Sequence, residues 1–70
     1  MIVITIGSKN GGRSTPIDLP EEATIEDLAN ALDVVASKNN WVVDGQNASE
    51  NSALHDGARV IYTMRDMKGA

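Results

Sequence analysis

The chain opens with a run of β-branched residues that alternates between two faces. The stretch IVITIG, directly after Met1, predicts a first β-strand, with three isoleucines on one face and Val3 and Thr5 on the other. The isoleucines, which we expect to face the core, are Ile2, Ile4 and Ile6.

A glycine-rich turn and a second apolar alternation follow this strand. The turn is predicted at Ser8 to Gly12, and the return stretch RSTPIDLP places Ile17 and Leu19 two residues apart. The two strands therefore form a predicted hairpin. Pro16 lacks an N–H group to donate, so we expect its strand to lie at the edge of the sheet.

The apolar pattern then changes to the period of a helix. Its apolar positions share one face: Ile25, Leu28, Ala29, Leu32 and Val35. Thr24 is the predicted N-cap, with Asp27 three residues later as its capping partner, and Glu26 and Asp27 complement the positive end of the helix. These carboxylates are therefore interpreted as helix-start residues and not as a catalytic cluster.

A short third strand is predicted after a polar break at Ser37 to Asn40. In the stretch WVVDG, Trp41 and Val43 share one face, Val42 lies on the other, and Asp44-Gly45 forms a turn. The polar stretch that follows, QNASENSA, is expected to be irregular.

The last apolar run predicts a final strand. Leu54 is an apolar anchor, Asp56-Gly57 a turn, and the strand covers Arg59 to Met64. Val60, Tyr62 and Met64 alternate with Ile61 and Thr63. The predicted core joins the inward residues of helix and strands: Ile4, Leu28, Leu32, Trp41, Val43, Val60 and Tyr62. Val42 and Ile61 point away from the helix, and we expect them to form a small exposed apolar patch, which is either scattered surface or a site of partner recognition.

Size and composition restrict the function classes. A chain of 70 residues forms one domain with little mass to spare for a catalytic cleft. Six basic and ten acidic side chains give a net charge of −4, which disfavours binding to nucleic acid or to an anionic membrane. There is no cysteine and no long apolar run, so we expect a cytoplasmic protein whose partners are proteins.

No catalytic or cofactor motif is evident. The turn sequence GSKNGG lacks the spacing of a phosphate-binding loop, and His55, a lone histidine, cannot build a metal site by itself. Ser8, Ser14, His55 and Asp56 do not assemble into a recognisable triad, and His55 is interpreted as a solvated turn residue. We expect a protein that is not an enzyme, with no cofactor and no metal.

Three stretches together resemble the ubiquitin-like and sulfur-carrier families: LPEEATIEDLANAL, VVDG and LHDGARVIYTM. The resemblance covers nearly the whole chain. It implies an α+β protein with the β-grasp fold, in which a β-β-α-β-β chain forms a mixed sheet packed on one helix. In this fold the first and last strands lie parallel at the centre of the sheet.

The tail MRDMKGA departs from the Gly-Gly end of sulfur carriers and many modifiers, because Lys68 precedes Gly69 and Ala70 follows it. It is more similar to prokaryotic ubiquitin-like modifiers, some of which end in a Lys-Gly tail. That resemblance implies an activating enzyme, a conjugating enzyme, a JAB-type protease and a target protein as partners.

The resemblance also assigns the site residues. Residues 1–64 are the predicted domain and residues 65–70 a flexible tail, in which Gly69 is activated by adenylation after removal of Ala70. Arg65 and Lys68 join Val42 and Ile61 as expected partner-binding residues. Two alternatives stay open: a non-covalent β-grasp protein-binding module, and a sulfur carrier that delivers a C-terminal thiocarboxylate.

Overall fold

The computed structural model describes residues 1–7 and 11–64, which form one mixed sheet covered on one face by a helix. In chain order, the elements are β1 (Ile2–Gly7), β2 (Thr15–Asp18), α1 (Ile25–Leu32), a 3₁₀ helix (Ala36–Lys38), β3 (Asn39–Val43), β4 (Gln46–Ala48) and β5 (Arg59–Met64).

The sheet has five strands in the order β2-β1-β5-β3-β4. β1 and β5 pair in parallel, with Ile4 beside Arg59 and Gly7 beside Tyr62, and the other neighbours are antiparallel. The predicted parallel pairing of the first and last strands is therefore confirmed. The strand that contains Pro16 lies at the edge, as its missing N–H group predicts.

The start of α1 is fastened by the capping pair that the sequence predicts. The Thr24 N–H donates to the Asp27 carboxylate at 2.9 Å. The next two N–H groups, of Ile25 and Glu26, donate to the carbonyls of Ser52 and Glu50, each at 3.0 Å. These bonds satisfy N–H groups that have no partner inside the helix. The loop after β4 therefore supplies carbonyl acceptors for the first turn of α1.

The helix ends earlier than its apolar pattern predicts. Asp33 has a φ of 61°, a left-handed conformation that ends helices, and the Val34 N–H turns back to the Ala29 carbonyl at 2.9 Å. The prediction that Val35 continues the buried helix face is therefore wrong, because Val35 lies beyond α1 and is 54% exposed.

The core lies between α1 and the inner face of the sheet. It consists of Val3, Leu19, Ala23, Ile25, Leu28, Ala29, Leu32, Trp41, Leu54, Ala58, Val60 and Tyr62. Five of the seven predicted core residues are confirmed: Leu28, Leu32, Trp41, Val60 and Tyr62. Val43 is half-buried and packs against this cluster, and Ile4 is outside it.

The face of β1 that enters the core is the opposite of the predicted one. Val3 and Thr5 are fully buried, whereas Ile2 is exposed and Ile4 and Ile6 are half-buried. The prediction failed because both faces of IVITIG are rich in β-branched residues, a composition typical of a strand covered on both sides. Thr5 enters the core because its hydroxyl donates to the Thr15 carbonyl at 3.0 Å.

A row of four residues crosses the inner face of the sheet. Gly7, Tyr62, Trp41 and Ala48 are successive partners on β1, β5, β3 and β4. The Tyr62 and Trp41 rings stack with centroids 5.3 Å apart, and a Cβ added to Gly7 would lie 2.5 Å from the Tyr62 ring. The missing side chain of Gly7 therefore provides the space that the Tyr62 ring occupies.

The stretch QNASENSA is more ordered than predicted. Its first three residues form β4, the edge strand beside β3, and β3 itself begins at Asn39, before the expected start. Short polar strands lack an apolar alternation that would reveal them.

Two side chains of β3 donate to the segment before it. The buried Asn39 side chain donates to the Val35 carbonyl at 3.0 Å, and Trp41 Nε1 donates to the Ala36 carbonyl at 2.9 Å.

Candidate functional site

The outer face of the sheet, which points away from α1, carries an apolar cluster. Ile6, Ile61 and Val42 are successive partners on β1, β5 and β3, and Ile4 lies on the same face of β1. We call these four residues the outer patch. Ile61 is 40% exposed, and the other three are half-buried. The structure therefore brings Val42 and Ile61 together as predicted and adds two isoleucines that the sequence assigned to the core.

The outer patch has a polar border. Arg59 lies beside Ile4, Asn47 lies beside Val42, and Asn40 and Thr63 face each other one step further along β3 and β5. Aliphatic side chains enclosed by polar ones are typical of surfaces that bind another protein.

One residue of the outer patch, Ile61, lies on β5, the strand at which the described chain ends. Met64, the last residue of β5, follows Ile61 by three positions, pairs with Asn39 and is 72% exposed. The predicted tail, residues 65–70, and with it Arg65, Lys68, Gly69 and Ala70, lies outside the described residues. The described part of β5 ends three residues after Ile61 of the outer patch.

One ionisable pair lies at the opposite end of β5. His55 Nε2 is 2.6 Å from Asp44 Oδ2, and His55 Nδ1 is 2.9 Å from the Asp56 carbonyl oxygen. The hydrogen bond to Asp44, followed by that to Asp56, raises the pKa of His55 above its ordinary value. The hydrogen bond from the Arg59 N–H, and after it the hydrogen bond with His55, lowers the pKa of Asp44 below its ordinary value. His55 is exposed, as predicted, but it has a specific carboxylate partner.

A concavity lies beside Trp41. It has a volume of about 330 Å³ and is lined by residues that include Ser37, Asn39, Ser49 and Glu50. Its lining contains a carboxylate and hydroxyls but no histidine, lysine or cysteine to act as a base or nucleophile partner.

Neither a metal cluster nor a membrane span is found in the part of the chain that the structure describes. Within residues 1–7 and 11–64, no three side chains of the metal-ligating types come together. The helices in these ranges are all too short to cross a bilayer.

Similar folds are found among small archaeal proteins. A crystal structure of H. volcanii small archaeal modifier protein 1 superposes with a TM-score of 0.76 at 15% identity, over 93% of this chain and 98% of that one. A structure of SAMP1 from Haloferax volcanii gives a TM-score of 0.72 at 16% identity, covering 99% of this chain and all of that one (100%). The chain has the β-grasp fold of ubiquitin-like proteins.

A third β-grasp structure is similar over nearly the same length. It is a ubiquitin-like protein from the archaeon Caldiarchaeum subterraneum, with a TM-score of 0.62, 12% identity and coverage of 96% of this chain and 99% of that one. At these identities the likeness establishes the fold. At the level of sequence, no protein-family description and no curated protein matches the chain.

Two features of this β-grasp domain were not predicted from the sequence. The outer position of Ile4 and Ile6 was missed, although Gly7 on the same strand gave a signal, because a glycine in a strand often marks a close approach by another group. The Asp44–His55 pair was also missed. The two Asp-Gly turns that bring these residues together are visible in the sequence, but their distance in space depends on the sheet order.

Proposed function

We propose that this protein is a ubiquitin-like modifier whose C-terminal glycine is activated and joined to a target. The observation that supports this most directly is the β-grasp domain, whose last strand ends at the exposed Met64 and is followed in the sequence by RDMKGA. Proteins named modifier and ubiquitin-like match the fold over more than nine-tenths of their chains, which is consistent with this function.

The chemistry takes place at the tail and is carried out by partner enzymes. A JAB-type protease hydrolyses the bond between Gly69 and Ala70, and alanine leaves. An oxygen of the freed Gly69 carboxylate then attacks the α-phosphate of ATP on the activating enzyme, and pyrophosphate leaves. A nucleophile of the conjugating enzyme or target finally attacks the acyl carbon, and AMP leaves. Glycine suits this role because a terminus without a side chain can enter a narrow channel.

The outer patch supplies the surface that these partners recognise. Ile61 lies on β5, the strand that precedes the tail in the sequence, so an enzyme that binds Ile61 and Val42 is also close to the start of the tail. Arg65 and Lys68 add positive charge at the base of the tail to a chain that is otherwise acidic. In this proposal the protein is a substrate of enzymes.

The tail chemistry is tested by mass spectrometry. We expect the protein, incubated with its protease, activating enzyme and ATP, to lose one alanine residue and then to form a covalent adduct through Gly69. A variant that already lacks Ala70 should form the adduct without the protease, whereas a variant that lacks both Gly69 and Ala70 should form none.

The possible results separate the candidate functions. An adduct that survives deletion of both residues would contradict the modifier function. Non-covalent binding to a partner without any adduct would instead support a protein-binding module. When sulfide is added as the sulfur donor, its displacement of AMP to give a thiocarboxylate at Gly69, without transfer to a target, would identify a sulfur carrier.

Placing a charge in the outer patch should weaken partner binding. We expect Val42→Asp to reduce affinity for the activating enzyme roughly tenfold or more, because a carboxylate would lose its water on binding to an apolar surface. Asn40→Asp is the matched control, since it places the same charge on the same face of β3, two residues away and outside the patch. Isothermal titration calorimetry measures both affinities.

Folding of the variants must be verified separately. Val42 is half-buried, so Val42→Thr, which keeps the β-branched shape, serves as a milder second variant. Fluorescence of the buried Trp41 shows whether each variant retains its core. If folded Val42→Asp and Asn40→Asp bind with equal affinity, the outer patch is ordinary surface.

A further inference from the structure

Two Asp-Gly turns are fastened to neighbouring strands at the same end of the sheet. Asp44, in the turn between β3 and β4, donates its N–H to the Arg59 carbonyl at 2.9 Å, and its Oδ1 accepts the Arg59 N–H at 3.0 Å. Asp56, in the turn before β5, accepts the Ile2 N–H at 2.7 Å. Gly57 donates to the Ile2 carbonyl at 2.7 Å. Each carboxylate thus accepts a hydrogen bond from the N–H of the first residue of a strand, Arg59 of β5 or Ile2 of β1.

His55 joins these two turns. One of its ring nitrogens faces a carboxylate oxygen of Asp44, and the other faces the backbone carbonyl of Asp56. Both atoms can only accept hydrogen bonds. A neutral imidazole has one N–H group, so it can satisfy one of these two partners and must present a lone pair to the other. The imidazolium ion, with two N–H groups, satisfies both.

We propose that the proton on His55 acts as a switch that locks the Asp44-Gly45 turn to the loop before β5. With the proton bound, the ring bridges the two turns and closes this end of the sheet. When the proton leaves, one contact becomes acceptor against acceptor, and the ring must turn away from Asp44 or from Asp56. The Asp44 turn and the Arg59 end of β5 then open more often.

The charges around His55 agree with this assignment. The Asp44 carboxylate and the Asp56 backbone carbonyl face the ring, and both raise the pKa of His55. Arg59, at the start of β5, interacts with Asp44 and lowers the pKa of that carboxyl. Because His55 and Asp44 are 63% and 47% exposed, water screens the pair and protons reach it freely. The switch therefore acts on local opening and leaves the fold as a whole intact.

The pH range follows from the directions of the two pKa shifts. The pKa of His55 is raised from 6.5, so its stabilising effect is complete below pH 6.5 and is lost as the pH rises through the raised value. The pKa of Asp44 is lowered from 3.8, so its effect is complete above pH 3.8 and is lost as the pH falls through the lowered value. The lock is therefore fully closed between pH 3.8 and pH 6.5, the ordinary pKa values of the two side chains.

An NMR titration tests the switch on the full chain. The His55 ring signals give its pKa, and hydrogen-exchange protection factors, which divide out intrinsic exchange, report opening at the Asp44 and Arg59 amides. We expect protection at these two amides to fall roughly twofold to fivefold as His55 loses its proton, the scale of an exposed ion pair. The Leu28 amide, inside the helix, should not respond.

Two conservative variants isolate the bridge. Asp44→Asn keeps an oxygen for the Arg59 N–H and tolerates the left-handed backbone at φ 51°, but it removes the charge. It should lower the pKa of His55 and abolish the pH response. His55→Gln should make protection of Asp44 and Arg59 independent of pH. An unchanged His55 pKa in Asp44→Asn, or protection in the wild type that stays constant while His55 titrates, would overturn the proposal.

Discussion

Leu32→Ala is expected to lower the free energy of unfolding by about 2–5 kcal/mol. Leu32 is the last residue of α1, and its side chain is almost entirely buried in the core against the sheet. Removing most of this side chain loses apolar burial and leaves a cavity that its neighbours only partly fill. A domain of this size has a total stability of roughly 4–10 kcal/mol, so the variant should be close to unfolding at 37 °C.

Denaturant unfolding followed by Trp41 fluorescence measures this change. Trp41 is buried and stacked on Tyr62, so its emission reports directly on the core that Leu32 enters. Asn30→Ala, at an exposed position of the same helix, is the control and should change stability by less than about 0.5 kcal/mol. Equal unfolding midpoints for the two variants would show that Leu32 is not part of the core.

Gly7→Ala should destabilise the protein by about 1–3 kcal/mol, although alanine adds only one methyl group. A Cβ at position 7 would lie 2.5 Å from two atoms of the Tyr62 ring, and the ring cannot retreat because Trp41 is stacked beside it. The clash must be relieved by moving β1 or by displacing the ring from its rotamer.

A double-mutant cycle checks this cause. If the ring is responsible, Gly7→Ala should cost much less in a Tyr62→Leu background, because the smaller side chain leaves space over position 7. The difference between the two backgrounds is the coupling energy between the residues, and equilibrium unfolding provides it. An equal cost in both backgrounds would mean that glycine at position 7 is needed for a reason other than the ring.

The sequence was most informative where a single physical signal dominated. The helix was predicted because its apolar period and the Thr24–Asp27 capping pair agree, and the edge position of β2 follows from Pro16 alone. Likewise, Trp41 and Val42 alternate clearly between an inner and an outer face. The pairing of Val42 with Ile61 on the outer face could therefore be expected before the sheet order was known.

The sequence was less informative where two signals competed or where none was present. In β1, isoleucine and valine compete for the core, and Gly7 with Tyr62 decides the face through a contact between distant residues. In β4, three residues with polar or small side chains give no alternation. Val35 continues the helical period, but the left-handed conformation of Asp33 ends the helix before it. These outcomes depend on tertiary packing, which local patterns do not contain.

The parallel pairing of β1 with β5 has a consequence for the kinetics of folding. It joins residues near the two ends of the domain, such as Ile4 and Arg59, so a large loop must close before the central pair can form. Such long-range contacts slow folding relative to helical domains of equal length. A chain that is still being synthesised and lacks β5 would expose the apolar faces of β1 and β3 to other chains, so aggregation is most favourable just before the last strand is complete.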